Sequence, residues 1–139
     1  MEARVYDVIR KACSSNTELL RQAVDELDLL QTEDRFFQIL LEIGKKEHEP
    51  EVHRIQALVQ FKNRICTYWN HRGEVRDQNL ASHEIIRRAM WDDLLAVTFP
   101  KSVERQWIAA MAQIFVEDYV NFDTRFFSKL TLAVNRLWE

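Results

Sequence analysis

The side chains that most often catalyse reactions or bind metals form no recognisable motif in this sequence. His48 and His53 stand on either side of a proline and do not make the H-E-x-x-H pattern of a zinc site. Cys66 has no histidine at the spacing of a known cysteine nucleophile, and the adjacent carboxylates Asp92 and Asp93 cannot both point to one site from a helix. The sequence also has no Gly-rich phosphate loop, no G-x-S-x-G and no kinase motif. We therefore expect no enzyme activity, no metal ion and no cofactor.

A more informative segment is LVQFKNRICTYWN, residues 58–70, in which polar side chains interrupt an apolar run. On a helical wheel, Gln60, Asn63 and Arg64 fall on one narrow polar arc. Lys62 falls among apolar neighbours instead, and burying an unpaired ammonium group is costly. Its side chain must therefore reach water along its aliphatic stem, pair with a carboxylate, or contact a partner. The segment predicts either an ordinary helix with one such lysine or part of a binding surface.

Composition and charge indicate one soluble intracellular domain. The chain has 139 residues, 47% of them hydrophobic, and its net charge of −3 argues against a nucleic-acid-binding protein. No apolar run approaches the roughly 18 residues of a membrane span, so we expect no membrane contact. Cys13 and Cys66 form no CxxC pair and are expected to be reduced, mostly packed thiols. Residues 1–51 hold 7 Lys+Arg against 12 Asp+Glu, which indicates either a surface for a basic partner or ordinary solvated helix faces.

Apolar residues recur at three- and four-residue spacing along the chain, which has only 2 Gly and 2 Pro, and this pattern predicts seven helices. A polar stretch, residues 70–81, is expected to be a loop before the fifth helix. The second helix is expected to turn Leu20 and Val24 inward. The first two predicted helices are residues 3–13 and 18–31, the second of them after a Ser15–Glu18 capping box. The third follows the N-cap Thr32 and ends near Lys46, and the fourth is residues 50–69. The fifth follows the N-cap Ser82, the sixth begins near Pro100, and the seventh follows the N-cap Asp123.

A weak internal repeat suggests how these helices are arranged. The second, fourth and sixth helices each carry an arginine beside apolar residues near their starts, namely Arg21, Arg54 and Arg105, spaced 33 and 51 residues apart. Two-helix units of about this length are typical of HEAT-type solenoids. We therefore predict an all-α, right-handed solenoid of about three HEAT-like antiparallel helix pairs plus one extra C-terminal helix.

The order of segments resembles the N-terminal domain of the karyopherin-β family, which comprises the importin-β and exportin proteins. The family pattern R-x-x-A-x-x-x-[LF]-K-N-x-I-x-x-x-W is matched by Arg54, Ala57, Phe61-Lys62-Asn63, Ile65 and Trp69. SNTELLRQAVDEL, FFQILLEIGKK and VERQWIAAMAQIF are similar to neighbouring segments of the family. The chain departs from the family at Val24, which replaces an acidic residue, and in DYVNFDTRFF, which lacks the family's proline and tryptophan. The resemblance covers residues 1–139, which we expect to form a single domain. It implies that the chain is a piece, or a short relative, of a longer receptor.

The resemblance implies nuclear transport in the cytoplasm and nucleus. The inner helices of such receptors bind a Ran-type small GTPase in its GTP form, whereas cargo and nucleoporins contact repeats further along. The partner-binding residues expected here lie on the second, fourth and sixth helices: Asp25, Leu29, Gln60, Lys62, Asn63, Arg64, Gln106 and Gln113.

Two alternatives remain open from the sequence. The chain could be a helical-repeat scaffold or adaptor that binds a partner protein or peptide helix in its groove. It could instead be a structural bundle; we expect a monomer, unless the apolar last helix pairs two copies. The tryptophans Trp69, Trp91, Trp107 and Trp138 are expected to pack in the interior rather than to bind partners.

Overall fold

The computed structural model describes residues 1–33, 35–69, 75–121 and 135–136, and within these residues it contains α-helices and no strands. The all-α prediction is therefore confirmed. The helices are α1 (Glu2–Ala12), α2 (Thr17–Leu30), α3 (Phe36–Lys45), α4 (Glu51–Trp69), α5 (Val75–Ala96) and α6 (Lys101–Asn121).

Consecutive helices pack as three pairs, α1 with α2, α3 with α4, and α5 with α6, as the predicted helical-repeat architecture requires. The pairs are joined through α4, which also packs against α1 and, most extensively, against α6. One face of α4 is therefore fully buried and holds Ala57, Leu58, Phe61 and Ile65. Because α4 lies at the centre, its side chains determine how the neighbouring pairs meet.

A buried arginine connects α4 to two other parts of the fold. The side chain of Arg54 is only 3% exposed, and its Nε donates a hydrogen bond of 2.9 Å to the carbonyl oxygen of Gly44 in the last turn of α3. Its guanidinium lies 5.9 Å from the ring centroid of Phe99, in the connection between α5 and α6. Burial lowers the pKa of Arg54, and the nearby Glu51 and Glu47 oppose this effect. The arginine therefore donates a hydrogen bond to a carbonyl oxygen in the last turn of α3, where carbonyl groups lack partners within the helix.

The α3–α4 contact is close because α3 carries a glycine where the helices meet. A Cβ atom on Gly44 would lie 2.7 Å from Cδ2 and 2.9 Å from Cγ of Leu58. Leu58 is itself completely buried, so its side chain has little room to move away. The glycine is required here for space between two helices.

Trp107 anchors α6 and confirms one of the tryptophan predictions. It is fully buried, its Nε1 donates a hydrogen bond of 3.1 Å to the carbonyl oxygen of Met90 on α5, and its ring lies 4.9 Å from that of Phe99. Trp91 was expected to be buried as well, but it is 59% exposed. Trp91 directly follows Met90 on the helix, so its side chain points away from the core face. The side chains of Trp69 and Trp138 lie outside the described residues.

The caps predicted for the second and third helices are wrong. The α2 helix is capped by Asn16, whose Oδ1 accepts hydrogen bonds from the backbone of Glu18 at 2.9 Å and of Leu19 at 3.3 Å, so Ser15 is not the cap. Thr32 does not begin α3, because its Oγ1 donates a hydrogen bond of 2.8 Å back to the carbonyl oxygen of Leu29 at the end of α2. Short polar side chains can hydrogen-bond to the backbone at either end of a helix, and neighbouring candidates such as Ser15 and Asn16 both fit the pattern of a cap.

The polar stretch before the fifth helix is largely helical. The α5 helix begins at Val75, so the predicted loop over residues 70–81 is too long, and Ser82 lies inside the helix instead of capping it. Polar residues without a clear period favour a loop in a sequence-based prediction, although a tertiary setting often overrides such preferences. The predicted seventh helix falls mostly outside the described residues. The two described residues within it, Asn135 and Arg136, are helical and exposed.

We predict that Trp107→Ala lowers the free energy of unfolding by about 3–5 kcal/mol, because it leaves a cavity and an unpaired carbonyl. Chemical denaturation monitored by circular dichroism measures this change. Leu95→Ala is the control, since Leu95 on the neighbouring helix is 82% exposed and its loss should change stability by less than about 0.5 kcal/mol. Equal effects of the two substitutions would contradict the placement of Trp107.

We also predict that Gly44→Ala lowers the free energy of unfolding by about 1–2 kcal/mol, because the methyl group overlaps Leu58. This net loss already includes the gain of up to about 1 kcal/mol that alanine brings over glycine within a helix. In a Leu58→Ala background the overlap disappears, so the same Gly44→Ala change should become neutral or stabilising. A stabilising effect in the otherwise unchanged chain would mean that α3 and α4 are further apart than described.

Candidate protein-binding surface

The α2 helix presents two of the predicted contact residues to solvent. Asp25 is exposed, and Leu29, one turn later, is 68% exposed. The opposite side of α2 is buried through Ala23, Leu27 and Leu30, which fixes the outward direction of both residues. An exposed leucine beside a carboxylate gives this part of α2 a small apolar contact with an acidic neighbour.

Three polar side chains, Gln56, Gln60 and Arg64, form a ladder along α4 at intervals of four residues. The amide Nε2 of Gln56 donates a hydrogen bond of 2.8 Å to the carbonyl oxygen of Ala12 at the end of α1. Gln60 donates to Gln56 at 3.5 Å, and Nε of Arg64 donates to Oε1 of Gln60 at 3.0 Å. We call these three residues the polar ladder; it satisfies a carbonyl at the C-terminal end of α1.

The last member of the polar ladder ties α4 to α2. Nη1 of Arg64 donates to Oδ1 of Asp28 at 2.7 Å and to Oε1 of Gln31 at 3.1 Å. Both Gln60 and Arg64 were predicted as partner contacts, and the structure places them in hydrogen bonds within the chain. Through Asp28 and Gln31, Arg64 alone of the two links α4 to α2 in the described part of the chain.

The next two predicted residues have different environments although they are adjacent. Asn63 is exposed, on the edge of the polar arc. Lys62 is half-buried, and its ammonium group makes no hydrogen bond or ion pair with the residues that the structure describes. The first alternative from the sequence, an aliphatic stem over apolar surface, agrees with the half-burial of Lys62.

The two predicted glutamines on α6 make no hydrogen bond to the polar ladder in the described part of the chain. Nε2 of Gln113 donates a hydrogen bond of 2.9 Å to Oε1 of Glu117 along the same helix. Oε1 of Gln106 is buried and has no hydrogen-bond partner among the described residues, although the residue as a whole is only half-buried. Neither glutamine extends the α2–α4 bracing through its hydrogen bonds in this part of the chain.

Sequence reasoning missed two aliphatic residues on α2. Leu20 and Val24 were assigned to the inward stripe, but they are 36% and 50% exposed. Val24 lies one turn before Asp28, which Arg64 contacts, and Leu20 lies one turn before Val24, so both aliphatic residues lie toward the side of α2 that carries Asp28. Two exposed aliphatic side chains beside a polar ladder add apolar contact area that the prediction did not include. On a helical wheel Val24 falls at the border of the buried residues of α2, whereas Leu20 falls about 20° from the buried Leu27, so no local signal predicts the exposure of Leu20.

The surface offers no sign of metal chemistry in the described ranges, where no group of three His, Cys, Asp or Glu side chains is placed to hold an ion. None of the helices over those ranges combines the length and the apolar character needed to cross a bilayer. The two thiols are free and half-buried, and burial raises the pKa of Cys13, which keeps that thiol protonated and weakly nucleophilic at neutral pH.

We predict that Arg64 and Asp28 are coupled in stability by about 0.5–1 kcal/mol, a value expected for a partly exposed ion pair. The coupling is obtained from unfolding free energies of Arg64→Met, Asp28→Asn and the double variant. Arg21 and Glu18, which form an exposed pair at 2.8 Å within α2, supply the matched control and should show a smaller coupling of about 0.2–0.5 kcal/mol. If Arg64 and Asp28 gave no more coupling than this control, Arg64 would not brace the two helices.

The comparisons with known proteins identify the domain that carries this surface. Residues 23–90 match the model of the importin-beta N-terminal domain, a segment that runs from α2 into α5 and includes the whole of α3 and α4. No curated protein and no solved structure matches the chain at a significant level. The family domain is a binding domain of transport receptors, so its match supports a binding function. The resemblance is confirmed over this range: the match of residues 23–90 to the importin-beta N-terminal domain is consistent with an N-terminal domain of the karyopherin-β family.

Proposed function

We propose that this chain is a non-catalytic module of a nuclear transport receptor that binds a Ran-type small GTPase in its GTP form. One observation carries the proposal: the importin-beta N-terminal domain spans residues 23–90, and exposed Asp25, Leu29 and Asn63 lie within it. The family's association with Ran and with traffic between cytoplasm and nucleus supports the partner and the location.

The geometry suits a preformed protein contact. Arg64 holds α2 and α4 together through Asp28 and Gln31, so the exposed residues of both helices need little ordering when a partner arrives. Reduced ordering lowers the free-energy cost of association. Leu29 provides an apolar contact, whereas Asp25 and the half-buried Lys62 provide charges that fix orientation and steer encounter.

Selectivity for the GTP form would arise in the partner. The switch segments of small GTPases are ordered around the γ-phosphate and its magnesium ion and are released on hydrolysis. A rigid surface that fits the ordered arrangement binds the other arrangement poorly, because it cannot follow the change. The Arg64 contacts that link α2 to α4 support a nucleotide-dependent contact of this kind.

A second candidate, an adaptor that binds an amphipathic peptide helix, is favoured by one specific observation. Leu20 and Val24 expose aliphatic surface along the side of α2 that carries Asp28, one turn apart. A partner helix with apolar residues at the same spacing would cover them. The two candidates share a surface but differ in dependence on nucleotide.

The test is an isothermal titration of a Ran-type GTPase, loaded with a GTP analogue or with GDP, into the chain. We expect binding restricted to the GTP form and weakened by about tenfold, or 1.4 kcal/mol, in Asp25→Ala and in Lys62→Ala. Asp92→Ala and Lys101→Ala remove the same charges from exposed sites on α5 and α6 and should change the affinity by less than twofold.

The outcomes distinguish an error in the proposed partner from an error in the assigned contact residues. Selective binding that these two substitutions leave unchanged would keep the partner and reject the residues. Equal binding of both nucleotide forms, or none with a folded chain, would reject the transport module and leave the adaptor. Competition by an amphipathic peptide that Val24→Asp abolishes would then identify the adaptor's surface.

A further inference from the structure

An open apolar groove runs between α5 and α6. Its volume is about 470 Å³, which lies within the size range of pockets that bind ligands. Met90 and Ile114, both almost fully buried, form its floor. Trp91 and Ile108 also line it, and they are 59% and 46% exposed within the whole chain. The groove is therefore open to another molecule, as exposed apolar surface at a binding site is.

The two walls of the groove have the spacing that receives a helix. Each wall contributes residues about one turn apart, namely Arg87, Trp91 and Leu94 on α5, and Ile108, Met111 and Phe115 on α6. Each set extends over about 10 Å of helix axis. A partner helix laid between the walls would contact both of them through apolar residues at positions i, i+3 or i+4, and i+7. The groove thus matches about two turns of an amphipathic helix.

The rim of the groove is basic, although the chain as a whole has a net charge of −3. Among the charged residues that the structure describes on α5 and α6, six lie within about 60° of Trp91 or Ile108 on a helical wheel. Four of them are cationic and two are acidic: Arg87, Arg88, Lys101 and Arg105, against Glu84 and Glu104.

The cations at the two ends of the rim differ in their pairing. At one end, Glu84 lies 3.5 Å from Arg87 and 3.6 Å from Arg88. At the other end, Lys101 and Arg105 are exposed at the start of α6 and make no ion pair with the residues that the structure describes. The start of α6 is therefore where a negatively charged partner gains most.

We propose that this groove binds an acidic amphipathic helix of a partner protein. The apolar residues of that helix enter the groove, and Asp or Glu residues beside its apolar stripe face Lys101 and Arg105. Opposite charges across an interface fix the orientation and register of the partner. A helix with the same apolar stripe but basic flanks meets like charges and is rejected.

Charge and shape disfavour the two other occupants of such a surface. In a twofold dimer the same patch faces itself, so the basic rim of one copy would meet the basic rim of the other. Anchoring to a bilayer requires apolar side chains that project into the lipid, whereas Met90 and Ile114 lie at the bottom of a depression. An acidic helix fits both the charge of the rim and the concave shape.

Selection from a library of helical peptides against the full chain tests the proposal. Every peptide keeps one apolar stripe at positions i, i+3, i+4 and i+7, and the flanking positions vary among Glu, Lys, Gln and Ala. We expect the selected peptides to carry more Glu than Lys, because Glu complements the basic rim. Fluorescence anisotropy of a labelled selected peptide then measures its affinity for the chain and for its variants.

Ile108→Asp and Ala112→Glu place a carboxylate in the groove, and we expect each to weaken peptide binding at least tenfold. Ile85→Asp is the matched control, since Ile85 is 61% exposed on the opposite side of α5 and the change should alter the affinity less than twofold. Lys101→Glu should weaken binding severalfold. An unchanged circular dichroism spectrum shows that a variant is folded; Ala112 is itself exposed, so its variant remains usable if Ile108→Asp does not fold.

The other outcomes would overturn the proposal. They are a library that yields no binder, binders as rich in Lys as in Glu, and binding that both groove variants leave unchanged. A dimer in sedimentation that Ile108→Asp dissociates would assign the groove to a second copy. Flotation with phosphatidylserine vesicles that Ile108→Asp abolishes would assign it to a membrane surface. No outcome involves the GTPase, so this proposal and the proposed function fail or succeed separately.

Discussion

Arg54 occupies the point at which three parts of the fold meet, and its burial is possible only because each of its neighbours is in place. Its Nε donates to the carbonyl oxygen of Gly44, its guanidinium lies over Phe99, and Phe99 contacts Trp107. Trp107 in turn donates to the carbonyl oxygen of Met90. This continuous series of contacts passes from α3 through α4 and the α5–α6 connection into α6 and α5. A buried charge with its hydrogen bond removed would be strongly destabilising, so the series is expected to form or break as a unit.

The surface of the domain depends on this interior constraint. The α4 helix is held by the core series on one side and by the polar ladder on another, where Arg64 reaches Asp28 and Gln31 on α2. Side chains that look like binding residues in the sequence are therefore partly used for internal bracing. What remains for a partner is a set of exposed residues, chiefly Asp25 and Leu29, at a spacing that the bracing fixes.

The helical periodicity of the sequence predicted the helices well and their ends and outer faces less well. None of the three residues predicted for the polar arc of the fourth helix is buried in α4. Capping was misassigned because Ser15 and Asn16 are adjacent candidates, and only the three-dimensional structure decides between them. Val24 was placed inside because it is aliphatic, although it lies at the border of the α2 stripe. The bonding of Arg64 depends on a residue 36 positions away, and no local pattern encodes such a contact.

Two leucines can report directly on whether a partner in its GTP form covers the exposed side of α2. Leu29 is 68% exposed on α2, and Leu95 is 82% exposed on α5. Hydroxyl-radical labelling of the chain, alone and with a GTP-loaded Ran-type GTPase, measures the accessibility of both side chains in one experiment. We predict that labelling of Leu29 falls severalfold in the complex and that labelling of Leu95 does not change. Equal labelling of Leu29 with and without a bound partner would show that the partner does not cover α2.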